Sequence, residues 1–316
     1  MSALTRPGGT SPARARGRSS ARKKRQRGAV ALFVGPFLVL FLLVFAAPIV
    51  YSAVQSLYAE RASGPLGLGG LASKFVGFAN FQIVLHSGDY WHGMERVFLF
   101  GIVQVPFMLF AALALALALD SIAARGVAAF RTAYFLPYAI PGVVAALLWA
   151  YLYIPQLSPY TGVLSSFGLH PNLLGPGLVL WSIANITTWS YTGYNMLIIL
   201  ASLKTIPQEL FEAARIDGAS EWKIAWRIKV PAVRRALVLT GVLSIIGTLQ
   251  LFTEPTVLQG ISFGVTSTYT PTMYTFNAAF ANSDSGLASA GSIIIALIAG
   301  ALSVAYYRLT TGKADK

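Results

Sequence analysis

The chain has 316 residues, of which 55% are hydrophobic and 11% charged, and its mean hydropathy is +0.63. Soluble domains carry about 25% charged residues, so this composition is that of a protein built for lipid and excludes an ordinary soluble fold. A net charge of +13 would suit a nucleic-acid binder, but its distribution along the chain points elsewhere, and the absence of cysteine excludes disulfides, thiol catalysis and thiolate metal sites.

Residues 1–28 are polar and basic, with Arg14, Arg16, Arg18, Arg22, Lys23, Lys24, Arg25 and Arg27 and no acid. They lack the apolar residues of a core and are expected to be disordered. A nucleic-acid arm is one reading. A basic cluster directly before an apolar span is better read as its cytoplasmic anchor. The first apolar run, AVALFVGPFLVLFLLVFAAPIVYSAV from Ala29 to about Val54, is long enough to cross a core of about 30 Å. It exceeds a signal-peptide h-region, and Pro48 after Ala46-Ala47 spoils a cleavage site, so a retained span is expected.

Residues 55–95 form a Gly-rich loop of mixed polarity, GPLGLGG followed by FVGFANFQIVL. A second span is expected from about Val97 to Leu119. Its ALALALALALD end alternates like a strand, but an open sheet edge cannot face lipid, so a helix is the reading. A charged turn, 120–131, follows. The third span, about 133–154, holds Pro137 and Pro141 one turn apart and should be kinked at its entry. After a charge-free loop at 155–177, the fourth span, about 178–203, carries NITTWSYTGYN in its middle, unusually polar for lipid exposure. Those hydroxyl and small residues could join helices or line a path.

The segment 207–231, PQELFEAARIDGASEWKIAWRIKVP, cannot lie in a bilayer core, where each charge costs about 2.5–3.5 kcal/mol. Thr205 with Gln208 fits a capping box, Pro207 a first helical turn, Gly218 a break, and Ser220 the cap of a second short helix ended by Pro231. Glu212 could pair with Arg215 at i+3. Ile224 and Ile228 would share one face of the second helix, beside Trp222 and Trp226, as an apolar knob suited to a cleft on another protein. A fifth span at about 236–258 places Gln250 and Glu254 at i and i+4, on one helical face. Residues 259–288 are polar and nearly uncharged, and a sixth span covers about 288–307. A short tail, 309–316, closes the chain.

With the N-terminus inside, 21 of the 24 lysines and arginines fall on the cytoplasmic side: nine in 1–28, two in the 120–131 turn, seven from Lys204 to Arg235 and three at the C-terminal end. Only Arg61, Lys74 and Arg96 fall outside. The positive-inside rule therefore accounts for the basic charge without nucleic acid. The expected fold is an all-α membrane protein with six transmembrane helices, both termini cytoplasmic, and a two-helix cytoplasmic loop at 205–231.

The loop's residues resemble a known pattern. Glu212-Ala213-Ala214, then Gly218, Ile228 and Val230-Pro231 at their spacings, are similar to the EAA motif of the permease subunits of ABC importers. EAARIDGAS after Ile206-Pro207 resembles the sugar-importing branch, with Val230 where leucine is commoner. Phe75-Val76-Gly77-Phe78-Ala79-Asn80-Phe81, Phe130-Arg131-Thr132 with Leu136-Pro137, and Gly286-Leu287-Ala288-Ser289-Ala290 resemble further segments of that branch. The resemblance covers about 30–310. It implies that residues 29–308 form an importer transmembrane domain. It also implies that Glu212, Ala213, Ala214, Asp217, Gly218, Ile228 and Pro231 couple to a separate ATPase that binds ATP and magnesium. The implied partners are a second, different permease subunit, an ATPase dimer and an extracytoplasmic solute-binding protein.

No G-x-x-x-x-G-K-(S/T) loop and no H-E-x-x-H motif occurs, and three scattered histidines make a poor metal set, so neither catalysis nor a cofactor in this chain is expected. Glu254 is the one carboxylate well inside an expected span, and an intramembrane acid is a functional candidate by default. With Gln250 it could bond a sugar's hydroxyls, with Trp189, Tyr191, Tyr194 and Asn195 supplying stacking and further bonds. A self-sufficient secondary transporter or channel is the alternative, but it would call for more buried ionisable groups and an internal repeat.

Overall fold

In the computed structural model residues 32–62, 71–121 and 126–311 are described. The basic tail at 1–28, the GPLGLGG stretch, Arg125 and residues 312–316 lie outside them. The chain divides into two units after Val54. In the first, helix α1 (Leu32–Gln55) widens to π geometry at Leu42–Ala46, where Ala47 N–H reaches five residues back to Leu42 O. The wide turn comes directly before Pro48, which has no N–H to give.

The second unit opens with an antiparallel hairpin, β1 (Tyr58–Ala62) and β2 (Leu71–Phe75), pairing Tyr58 with Phe75. Short α2 (Ala79–His86) follows, then α3 (Gly88–Leu119), a helix of 32 residues. The second span was expected to start at Val97. Ser87 instead caps the helix nine residues earlier, with Tyr90 N–H donating to its Oγ, so Arg96 stands on a helix and not in a loop. Arg96 donates to Tyr269 O at 3.3 Å and lies over the Tyr269 ring, 4.9 Å from its centroid.

Helices α4 (Val127–Ala139) and α5 (Gly142–Tyr153) meet at 95°. Ile140 and Pro141 between them are extended, because proline pushes its predecessor out of the helical region. The loop expected at 155–177 contains α6 (Pro159–Ser166), and α7 (Val179–Leu203) runs 25 residues. After the charged segment, α8 (Gln208–Ile216) and α9 (residues 221–232) precede α10 (Arg234–Leu249). Helix α11 (Thr253–Gln259) continues α10 after a break at 250–252, α12 (Pro271–Phe280) lies inside the expected polar loop, and α13 (Ser285–Thr311) is the last. Both helices that arise from that loop are capped at their N-termini: Thr270 Oγ1 accepts Met273 N–H, and Asp284 Oδ1 accepts Leu287 N–H.

Among the described residues four helices are long and apolar enough to cross a membrane, α1, α3, α10 with α11, and α13, or five if the bent α4–α5 pair counts as one span. Helix α7 has the length but not the apolarity, a consequence of its NITTWSYTGYN centre.

Lipid tails are as apolar as leucine, so such a bundle is held by close packing and hydrogen bonds more than by expulsion from water. Three buried clusters do this. One joins Phe100, Trp149, Tyr153, Ile183, Ile186, Leu258 and Met273 across α3, α5, α7, α11 and α12. A second joins Tyr90, Met94 and Val97 to Ile294 and Ile295 of α13, with Tyr90 Oη donating to Gly291 O at 2.9 Å. The third packs Leu113, Ala116 and Leu119 at the end of α3 on Met196, Ile199 and Leu203 at the end of α7, with Val233 beside them. Helix α4 reaches α7 at Gly193, where any Cβ would overlap the carbonyl of Tyr134.

Candidate functional site

The charged segment folds as a helical elbow standing on the third cluster. Its first helix, α8, ends in a Schellman turn: Ala219 N–H bonds Ala214 O at 2.9 Å, Gly218 N–H bonds Arg215 O at 3.0 Å, and Gly218 has φ +76°. Only glycine adopts that region without strain. Ser220 then caps α9, its Oγ accepting Lys223 N–H.

Three local expectations are corrected. Thr205 makes no capping box, because its hydroxyl donates back to Ser202 O at 2.8 Å and Pro207 holds the N-cap. Pro231 does not end the second helix: it sits in the last turn, Val230–Ala232, and only Val233 separates that turn from α10. Arg215 pairs across the elbow with Glu221 at 2.7 Å, and not with Glu212, because the Gly218 turn folds α9 back onto the end of α8. The hydrogen bond from Arg215 holds the Glu221 carboxyl below its usual range.

Of the expected coupling positions, Glu212, Ala213, Asp217, Gly218 and Pro231 are exposed, and Ala214 and Ile228 half-buried. The apolar surface is not the expected knob. Ile224 is fully buried, whereas Ile216 is 87% and Trp222 73% exposed, with Trp226 edge-on to Trp222. Phe211 is buried beneath. The elbow thus offers a polar EAA face with apolar residues at its tip and side.

Beneath it lies a charge cluster that sequence reasoning missed. Lys229, in the π turn Ala225–Lys229, is 2.7 Å from Asp120 Oδ2 and 4.9 Å from the centroid of the Phe211 ring, while Lys204 is 2.7 Å from Asp120 Oδ1. Asp120 is the single acid between Glu95 and Glu209, which was its one signal in the sequence.

The expected pathway residues divide among four places. Tyr194 stacks on Tyr138 with centroids 4.6 Å apart, Tyr138 meets Tyr191 edge-on at 5.8 Å, and Tyr191 lies within electrostatic reach of Glu254. Glu254 is buried in the first turn of α11. The three tyrosines form one cluster from α4 and α7, with Glu254 of α11 in electrostatic reach of its Tyr191; Tyr138, next to the kink proline, went unnoticed in the sequence. Trp189 instead packs edge-on to Trp149. Asn195 turns toward α3, its amide donating to Tyr191 O at 3.1 Å and lying 3.6 Å from Met108 Sδ. Gln250 is exposed in the break between α10 and α11, so it and Glu254 do not share a helical face. The i, i+4 argument assumed an unbroken helix there.

Long apolar helices, a cluster of tyrosines on their surface and a charged helical elbow are the features of the transmembrane subunit of a transporter. Residues 111–312 match the family model "Binding-protein-dependent transport system inner membrane component", and the chain belongs to that family. It is 31% identical over 282 residues to the lactose transport system permease protein LacF of Rhizobium radiobacter, covering 86% of this chain and 90% of that one. It is 30% identical over 281 residues to the sn-glycerol-3-phosphate transport system permease protein UgpA of Rhizobium meliloti (strain 1021), covering 88% and 92%. A chain from the crystal structure of a bacterial alginate ABC transporter in complex with alginate pentasaccharide-bound periplasmic protein has the same fold, with a TM-score of 0.77 over 92% of this chain and 98% of that one at 19% identity. The chain is the membrane-spanning permease component of an ABC importer.

Proposed function

We propose that this permease carries a sugar or related hydroxyl-bearing solute, received from an extracytoplasmic binding protein, and is driven by a separate ATPase dimer docked on the Gly218 elbow. The exposed EAA face carries this reading: a charged helical hairpin fixed by its own Schellman turn suits the cleft of another protein. The relatives named for lactose and sn-glycerol-3-phosphate support the solute class. The chain crosses the inner membrane six times, α7 serving as the fourth span, with both ends cytoplasmic. The positive-inside count supports this orientation, which puts the elbow and Asp120 on the cytoplasmic side. One chain brings one elbow to an ATPase dimer with two clefts, so a second permease subunit completes the complex as a heterodimer. ATP and magnesium belong to the ATPase, and the Tyr138, Tyr191, Tyr194 and Glu254 cluster contacts the solute.

The test is Gly218→Pro. Proline cannot adopt φ +76° and removes the N–H that Gly218 gives to Arg215 O. The variant should reach the membrane in normal amount and lose ATP-driven uptake in the reconstituted complex. Normal uptake by it, or uptake by the wild-type chain without the ATPase as a secondary carrier would show, refutes the reading.

A further inference from the structure

Asp120 is an unfavourable residue for its own helix. It stands at the C-cap of α3, where the helix dipole repels an anion, and its side chain is 5% exposed. A buried carboxylate persists only where partners repay its desolvation. Here two do, from two other elements: Oδ1 binds Lys204, the C-cap residue of α7, and Oδ2 binds Lys229 of α9, each at 2.7 Å. The two pairs differ. Lys204 is 56% exposed and could be solvated without Asp120, whereas Lys229 is 7% exposed and lies over the Phe211 ring of α8. One carboxylate therefore joins the ends of α3 and α7 to α9, and Lys229 carries the link on to Phe211 of α8.

Two further features place the tie at a mechanical junction. Lys229 lies at the end of a π turn, the widened geometry that recurs at functional sites. Beside it a groove of about 350 Å³ opens between Leu113, Leu117 and Phe110 of α3 and Trp222 and Trp226 of α9. Beside this groove the ion pair bridges the elbow to α3, next to the apolar contact that Val230 and Val233 make with the third cluster.

We propose that Asp120 is the positioning residue that transmits displacement of the elbow to α3 and α7, so that ATP hydrolysis moves the pathway helices instead of the elbow alone. This rests on the reading that an ATPase docks on the elbow. The experiment measures solute taken up per ATP hydrolysed by the complete importer in proteoliposomes, for the wild type, Asp120→Asn, Asp120→Glu and the double variant Asp120→Asn with Lys229→Met. A merely structural role lowers the yield of complex but not this ratio. The expected result is a ratio reduced about tenfold or more in Asp120→Asn and in the double variant, a size within ordinary coupling energies, with ATP hydrolysis retained and partial recovery in Asp120→Glu. The double variant leaves no buried unpaired ammonium, so it decides the matter if Asp120→Asn fails to fold. A wild-type ratio in the double variant overturns the proposal. Uptake by the wild type without the ATPase overturns the docking reading and the proposal with it, and that control separates the two failures.

Discussion

Gly193→Ala is the sharpest probe of how the tyrosine cluster is built. An added Cβ would overlap the Tyr134 carbonyl oxygen and stand 2.5 Å from its carbon and 3.0 Å from Phe135 N, all backbone atoms that no rotamer change can move aside. Helix α4 must therefore retreat by about 1.5 Å to restore an ordinary C···O contact of about 3.3 Å. Overpacking of this kind costs about 1–3 kcal/mol. The retreat also pulls Tyr138 from its 4.6 Å stack on Tyr194 and its edge contact with Tyr191, worth about 0.5–1.5 kcal/mol each. Together the loss is about 2–6 kcal/mol, enough to displace α4 rather than merely loosen it. Thermal unfolding of the purified complex in detergent and uptake in proteoliposomes should both fall, with uptake lost even where folded complex remains. Wild-type melting temperature and uptake in Gly193→Ala would refute the geometry.

Two further outcomes follow from other parts of the chain. Glu254→Gln and Glu254→Ala should lower solute uptake by about tenfold or more, since a hydrogen bond to a charged group is worth about 1.5–3 kcal/mol, while the ATPase still copurifies with the chain; unchanged affinity and rate would remove Glu254 from the pathway. The elbow should tolerate mild acid: the carboxyl of Glu221 is held below its usual range by Arg215, so the Arg215 tie is fully present above the ordinary carboxylate range and is lost only as pH falls through the lowered value. An isotope-edited infrared titration showing Glu221 protonated at or above the usual carboxylate pKa would contradict this, and the exposure of the pair predicts little change in global stability.

The sequence by itself determined the local and compositional features. Runs of apolar residues without charge set the helices, because buried backbone in lipid must satisfy its own hydrogen bonds. Pro141 set the bend after Ile140, Gly218 the elbow and Ser220 the cap of α9, since each constrains its own backbone. The EAA spacing and the charge asymmetry were equally readable, as both are properties of residues along the chain. Where local reading went astray, a distant or neighbouring group had won: Arg215 took Glu221 across the turn, Thr205 bonded backward, and the span containing Gln250 broke before Glu254.

Only the tertiary structure decided which residues meet. Tyr138, Tyr191, Tyr194 and Glu254 come from three helices brought together partly because Gly193 has no side chain, a condition that no window of sequence reveals. Asp120 reads in the sequence as a lone acid in a turn, and Lys229 as one base among several. Their partnership spans 109 positions of chain. Local spacing can specify a turn or a face, but a contact between distant residues is fixed by the packing of the helices that carry them.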